Sequence, residues 1–189
     1  MSEVILFHHA QGLTDGVHAF ADELRAAGHT VHTPDLFDGR TFEDVESGVD
    51  HARTIGFDNV LARGVAAADA LPNNVVYAGF SMGVMPAQKL AQTRSEALGG
   101  LFFDSCLPVS EFGSWPDGLP AQIHGGPDDE WFAEDLEFAR ELADSVPTAE
   151  LFLYPGVAHL FADSSLKAYD AEAAGLVLER TKAFLAALS

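Results

Sequence analysis

Short apolar runs alternate with longer segments of helical periodicity along this chain. A continuous apolar run of four to eight residues, bounded by turn residues, is typical of a strand that is buried on both faces of a parallel sheet. Six segments fit this description: Val4–Phe7, His29–Thr33, Val75–Ala78, Gly100–Asp104, Ala121–His124 and Glu150–Tyr154.

Between these runs, apolar residues recur at the three- and four-residue spacing of amphipathic helices. The first such helix is capped by Thr14 or Asp15 and ends at Gly28, and the last runs to the end of the chain. Strands that alternate with helices predict an α/β fold with a doubly wound, mostly parallel sheet of about six strands. At 189 residues, we expect residues 1–189 to form one domain.

The junction between the third strand and the next helix carries the most informative pattern, Gly79-Phe80-Ser81-Met82-Gly83. A G-x-S-x-G turn between a strand and a helix is a nucleophile elbow, in which the serine takes a strained conformation and its hydroxyl is exposed above the sheet. The glycines leave room for the neighbouring backbone. Ser81 is therefore the candidate nucleophile.

A nucleophilic serine needs a histidine base and a carboxylate that orients it, in the chain order Ser, Asp, His for this architecture. The turn after the fifth strand holds two acids, Asp128 and Asp129, and the loop after the sixth strand holds His159. Since parallel strands end at one edge of the sheet, we expect these groups to converge. We predict Asp128 as the acid, with Asp129 as the alternative.

Composition narrows the choice of partners. The formal net charge of −19 would repel nucleic acids and anionic membranes, so we expect neither as a partner.

Two features favour a cytoplasmic protein. The single cysteine, Cys106, excludes an intramolecular disulfide, and the short apolar run near Met1 is too short for a signal peptide or membrane span. The histidines and acids follow no recognisable metal-ligand spacing, so we expect no metal.

With these residues placed, the chain resembles the dienelactone hydrolase family, a small-domain branch of the α/β-hydrolases. The resemblance covers nearly the whole chain. It rests on the elbow and on four further segments: His9–Gly12, Thr33–Phe37, Gly125–Asp128 and Tyr154–Phe161. It implies hydrolysis of a small-molecule ester or lactone through an acyl-enzyme, without metal or organic cofactor. The connection from Ser105 to Pro120 is only a loop, so we expect a compact domain without a cap.

Three positions depart from the best-known members of that family. The best-known members have a cysteine where this chain has Ser81, a glutamate at the position of His9, and a substrate-binding arginine at the position of Asp163. His9 and Asp163 are thus candidate substrate contacts. An acid at position 163 would repel a substrate carboxylate, so we expect neutral esters or lactones to be preferred.

The expected oxyanion hole consists of the backbone N–H groups of Met82, at the start of the elbow helix, and Ala10, in the first strand-to-helix turn. Thioesterase or acyltransferase activity is an alternative that the same residues would support. A non-catalytic binding module of the same fold is the other alternative. The residues do not predict the oligomeric state or the physiological substrate.

Overall fold

The computed structural model describes residues 1–188, in which six parallel strands form one sheet. The strands follow the six apolar runs closely. Their bounds are β1 Glu3–Phe7, β2 Thr30–His32, β3 Val76–Phe80, β4 Gly99–Phe103, β5 Ala121–Gly125 and β6 Ala149–Leu153.

Helices connect the strands and cover both faces of the sheet. Their bounds are α1 Asp15–Ala26, α2 Val45–Ile55, α3 Phe57–Ala67, α4 Val84–Thr93, α5 Glu130–Ser145 and α6 Ala171–Ala187. Thr14 caps α1 by accepting from the N–H of Val17, and Gly28 takes a φ of 94° just beyond its end, so both predicted boundaries are confirmed. Helices α2 and α3 are separate elements, divided at Gly56. The 105–120 connection contains only a short 3₁₀ helix, Val109–Glu111.

The strand order is β2-β1-β3-β4-β5-β6, with every neighbouring pair parallel. Successive side chains of β1 face opposite sides: Ile5 and Phe7 pack with the helices α2 to α5, and Val4 and Leu6 pack with α1 and α6. The doubly wound α/β fold is thus confirmed. The order reverses between β1 and β3, and in such sheets ligands bind beyond the carboxyl ends of the strands at that point. No helix within residues 1–188 is long and apolar enough to cross a bilayer.

Candidate active site

Ser81 stands at the carboxyl end of β3 with a φ of 47°, a left-handed conformation that is uncommon for a residue other than glycine. A Cβ on Gly79 would lie 2.2 Å from the Gly83 carbonyl oxygen, and one on Gly83 would lie 2.4 Å from that of Phe7. Any side chain larger than glycine at these two positions would therefore push the elbow away from its neighbours. The strained turn that the pentapeptide predicts is present.

The loop after β6 brings His159 to Ser81. The Ser81 Oγ and the His159 Nε2 are 2.9 Å apart, within hydrogen-bond distance. The imidazole is mostly buried, with 7% of its side chain exposed, and the ring of Trp131 lies over it with 5.9 Å between ring centroids. The sequence-based placement of His159 beside the serine agrees with this geometry.

The acid that contacts His159 is Asp129, and the prediction of Asp128 differs from the structure. The Asp129 Oδ2 lies 2.6 Å from the His159 Nδ1, and its Oδ1 accepts from the N–H of Trp131, capping α5. The Asp128 side chain is exposed and accepts from the N–H of Gly156. The reason is the turn: Asp129 is the N-cap of α5, so its carboxylate is buried at the sheet edge while its neighbour faces outward.

The predicted oxyanion donors, the N–H groups of Met82 and Ala10, follow the carboxyl ends of the neighbouring strands β3 and β1. Met82 lies in the first turn of the 3₁₀ helix Ser81–Gly83, where N–H groups lack an intrahelical acceptor. Ala10 is 2% exposed, and among residues 1–188 its N–H donates no hydrogen bond. A buried N–H without an acceptor is rare in folded proteins, so Ala10 remains a candidate oxyanion donor.

The predicted substrate contacts, His9 and Asp163, form a buried pair with each other instead. The His9 Nε2 lies 2.8 Å from the Asp163 Oδ2, and the two side chains are 0% and 1% exposed. Thr14 and Ser165 also donate to this carboxylate. Asp163 is thus enclosed by four donors beneath the first strand-to-helix turn, which removes the basis for a repulsion between it and a substrate carboxylate.

His8 fixes the same turn from the other side. Its Nδ1–H donates to the His9 carbonyl oxygen over 2.7 Å, and its Nε2 accepts from the N–H of Leu36 over 2.9 Å. Burial lowers the pKa of His8 to about 4, which outweighs the opposing effect of the bond to His9. The imidazole is therefore neutral at physiological pH and holds the turn through directional hydrogen bonds.

Sequence reasoning missed one side chain at this edge, that of Asp104. Phe80 and Phe103 are register partners on β3 and β4, so Asp104 follows β4 at the level where Ser81 follows β3. The residue is 2% exposed, and one of its carboxyl oxygens lies within 4.8 Å of a carboxyl oxygen of Asp129 and a ring nitrogen of His159. An acid directly after a buried strand is the signal that identified the acids after β5, and it is equally present here.

Burial raises the pKa of Asp104 to about 7, because a carboxylate loses its hydration there. The charge of His159 acts in the opposite direction, and the carboxylate of Asp129 raises the pKa further. The N–H of Leu160 lowers the pKa of Asp104 by the smallest amount, and it does not form a hydrogen bond with the carboxyl. These three side chains are also the one group within residues 1–188 whose ligand atoms lie close enough to hold a metal ion.

The family comparison agrees with the resemblance predicted from the motifs, since the model of the dienelactone hydrolase family matches residues 1–189. Among solved structures, a dienelactone hydrolase-like promiscuous phosphotriesterase from metagenomic libraries has a TM-score of 0.74 at 19% identity, with 100% of this chain and 87% of that chain covered.

A thermophilic esterase from Thermogutta terrifontis, with propionate bound, has a TM-score of 0.73 at 17% identity, covering 100% of this chain and 84% of that one. Its form modified by tabun has a TM-score of 0.73 at 17% identity, covering 100% and 83%. The TM-scores establish a common fold with these proteins. No curated protein matches the sequence. Because the family model spans the whole chain, this protein belongs to the dienelactone hydrolase family.

Proposed function

We propose that this ester hydrolase of the dienelactone hydrolase family cleaves small carboxylic esters or lactones through an acyl-enzyme at Ser81. The observation that carries the proposal is the unbroken chain of contacts from the Ser81 Oγ to the His159 Nε2 and from the His159 Nδ1 to the Asp129 Oδ2. Each contact has the length that proton transfer or orientation of an imidazole requires.

In the first half of the reaction, the Ser81 Oγ forms a bond to the acyl carbon while His159 takes the hydroxyl proton. The Ala10 and Met82 N–H groups bind the oxyanion that develops on the carbonyl oxygen. When the tetrahedral intermediate collapses, the bond to the alkoxide breaks and His159 gives its proton to the leaving oxygen. For a lactone, the leaving alcohol stays attached to the acyl group.

In the second half, a water molecule attacks the acyl carbon and His159 removes its proton. Collapse breaks the bond to the Ser81 Oγ, which regains a proton from His159, and the carboxylic acid leaves. Asp129 orients the imidazole and stabilises the imidazolium that forms twice per turnover. The Ser81 hydroxyl, rather than a metal-bound water, is the nucleophile in this proposal.

The test uses a p-nitrophenyl ester and matched aspartate variants. Ser81→Ala should lower kcat by several powers of ten while the circular dichroism spectrum is unchanged. Asp129→Asn should reduce kcat/KM far more than Asp128→Asn, because only Asp129 contacts the imidazole. Retention of more than about a tenth of wild-type kcat by Ser81→Ala would refute the assignment of Ser81 as the nucleophile, because removal of a triad member lowers kcat by far more than tenfold.

Covalent labelling supplies an independent readout. A fluorophosphonate should modify the wild-type protein once, at Ser81, and should leave Ser81→Ala unmodified in an intact-mass measurement. If the reagent leaves the wild-type protein unmodified, a non-catalytic binding module of the same fold is favoured. We further propose a cytoplasmic location, which the presence of one cysteine and no disulfide within residues 1–188 supports.

A further inference from the structure

Asp104 occupies a position that ordinary packing does not account for. It follows β4 with a φ of 58°, in the left-handed region that costs most residues free energy, although aspartate tolerates it better than most. Among residues 1–188, neither of its carboxyl oxygens has a hydrogen-bond partner. A buried carboxyl without a partner is costly and rare, and such features concentrate at functional sites.

The surroundings of Asp104 are those of the catalytic groups. Its carboxyl oxygens, those of Asp129 and the ring nitrogens of His159 include atoms that all lie within 4.8 Å of one another. Asp129 contacts the imidazole from the turn after β5, and Asp104 approaches the same group from the end of β4 without a hydrogen bond to it. The third titratable group that faces Asp104 is the phenol of Tyr154, after β6.

We propose that Asp104 is a second positioning carboxyl for His159, which supports the imidazolium together with Asp129 and takes over from Asp129 when that residue is removed. The proposal rests on the function proposed above. Asp129 holds the resting imidazole over 2.6 Å, which leaves Asp104 as the carboxyl with unused acceptor capacity. When the imidazole gains a proton during acyl transfer, its positive charge favours the ionised form of Asp104.

The carboxylate of Asp129 opposes the ionisation of Asp104, because like charges this close in a buried site repel each other. At neutral pH, Asp104 retains a proton for part of the time, as burial raises its pKa to about 7. Removal of Asp129 deletes the nearest negative charge, so Asp104 ionises more readily in that background. Asp104 can then accept from the imidazole in place of Asp129.

The test measures kcat/KM across pH for Asp104→Asn, Asp129→Asn and the double variant. Asparagine tolerates the left-handed conformation of position 104, so the backbone is preserved. The effect of Asp104→Asn should be at least about tenfold larger in the Asp129→Asn background than in the wild type, a coupling in the range found for neighbouring residues. The loss in Asp129→Asn should stay below the roughly 10⁴-fold expected where no second acid is present.

A pH readout separates positioning from a purely structural role. The activity ratio of Asp129→Asn to the double variant should rise with pH as Asp104 ionises, because the carboxylate is a better acceptor for the imidazole N–H than the neutral carboxyl. The matched control is Asp128→Asn in the same background, because Asp128 is exposed and contacts Gly156 rather than the imidazole. It should leave the residual activity unchanged.

Equal activity of Asp129→Asn and the double variant, or a ratio that is flat with pH, would overturn the proposal. Thermal melts establish that each variant is folded at the assay temperature. If Ser81→Ala remains active, the proposed function fails as a whole. If Ser81→Ala is inactive and the two aspartates show no coupling, only the role of Asp104 fails.

Discussion

The buried carboxylate of Asp163 allows a sharp prediction about stability, because every donor around it is identified. Its Oδ2 accepts from His9 and Thr14, and its Oδ1 accepts from the N–H and the hydroxyl of Ser165. The His9 tautomer is set as well: the N–H of Gln11 donates to the Nδ1, so the Nε2 carries the proton. Asp163→Asn keeps the shape of the side chain and replaces one acceptor by a donor.

No orientation of that asparagine satisfies the site. With its amide nitrogen at the Oδ2 position, two donors meet at the Nε2–H of His9; with the nitrogen at the Oδ1 position, they meet at the N–H of Ser165. A change of the His9 tautomer moves the conflict to the N–H of Gln11. One N–H loses its acceptor in each case: a buried one at His9 or Gln11, or that of the exposed Ser165. The remaining bonds also lose their ionic character, and a bond to a charged group contributes about 1.5–3 kcal/mol against about 0.5–1.5 kcal/mol for a neutral one.

We expect Asp163→Asn to lower the free energy of unfolding by about 2–4 kcal/mol. For a chain of this size, that corresponds to a fall in Tm of roughly 5–15 °C. The assay is urea unfolding followed by circular dichroism at pH 7.5, with Asp128→Asn as the matched control. Asp128 is exposed, so the same chemical change there should stay within about 0.5 kcal/mol of the wild type.

The effect should also depend on pH. Burial raises the pKa of Asp163, but the donors His9, Ser165 and Thr14 outweigh it and the net pKa is lowered. A lowered pKa means that the ionised Asp163 stabilises the folded state, and this stabilisation is fully present at pH values above the pKa that Asp163 has in the unfolded chain. That stabilisation is lost as pH falls through the lower value of the folded state. The difference between wild type and Asp163→Asn should be constant above about pH 5 and shrink in acid. A variant as stable as the control at pH 7.5, or a difference that grows in acid, would refute this reasoning.

Two further predictions follow from close packing and burial. A Cβ on Gly48 of α2 would lie 2.0 Å from the carbonyl oxygen of Ala10, so Gly48→Ala should lower the free energy of unfolding by about 1–3 kcal/mol and should lower kcat/KM. The control is Gly175→Ala in α6, which has open space around it and should be neutral or stabilising by up to about 1 kcal/mol in the same urea assay. Equal stabilities of the two variants would contradict this prediction. Burial raises the pKa of Cys106 to about 12, so iodoacetamide at pH 8 should label the urea-unfolded chain once and leave the native protein unlabelled over the same time. Rapid labelling of the native protein would show that the thiol is accessible.

The sequence by itself determined the α/β fold, the elbow, and the pairing of the candidate nucleophile Ser81 with the candidate base His159. These inferences depend on local patterns. Buried parallel strands read as apolar runs, the elbow needs glycine at two defined positions, and the carboxyl ends of parallel strands must meet at one edge. Because each pattern is confined to a few neighbouring residues, it can be recognised without coordinates.

Only the tertiary structure decided between Asp128 and Asp129, because adjacent residues of a tight turn point in different directions and the cap of α5 selects one of them. Only the structure paired Asp163 with His9, which lies 154 positions away in the chain. It also placed Asp104 beside Asp129 and His159, through the register of β3, β4 and β5. Contacts of this kind depend on side-chain direction and burial, which emerge only when distant segments pack together.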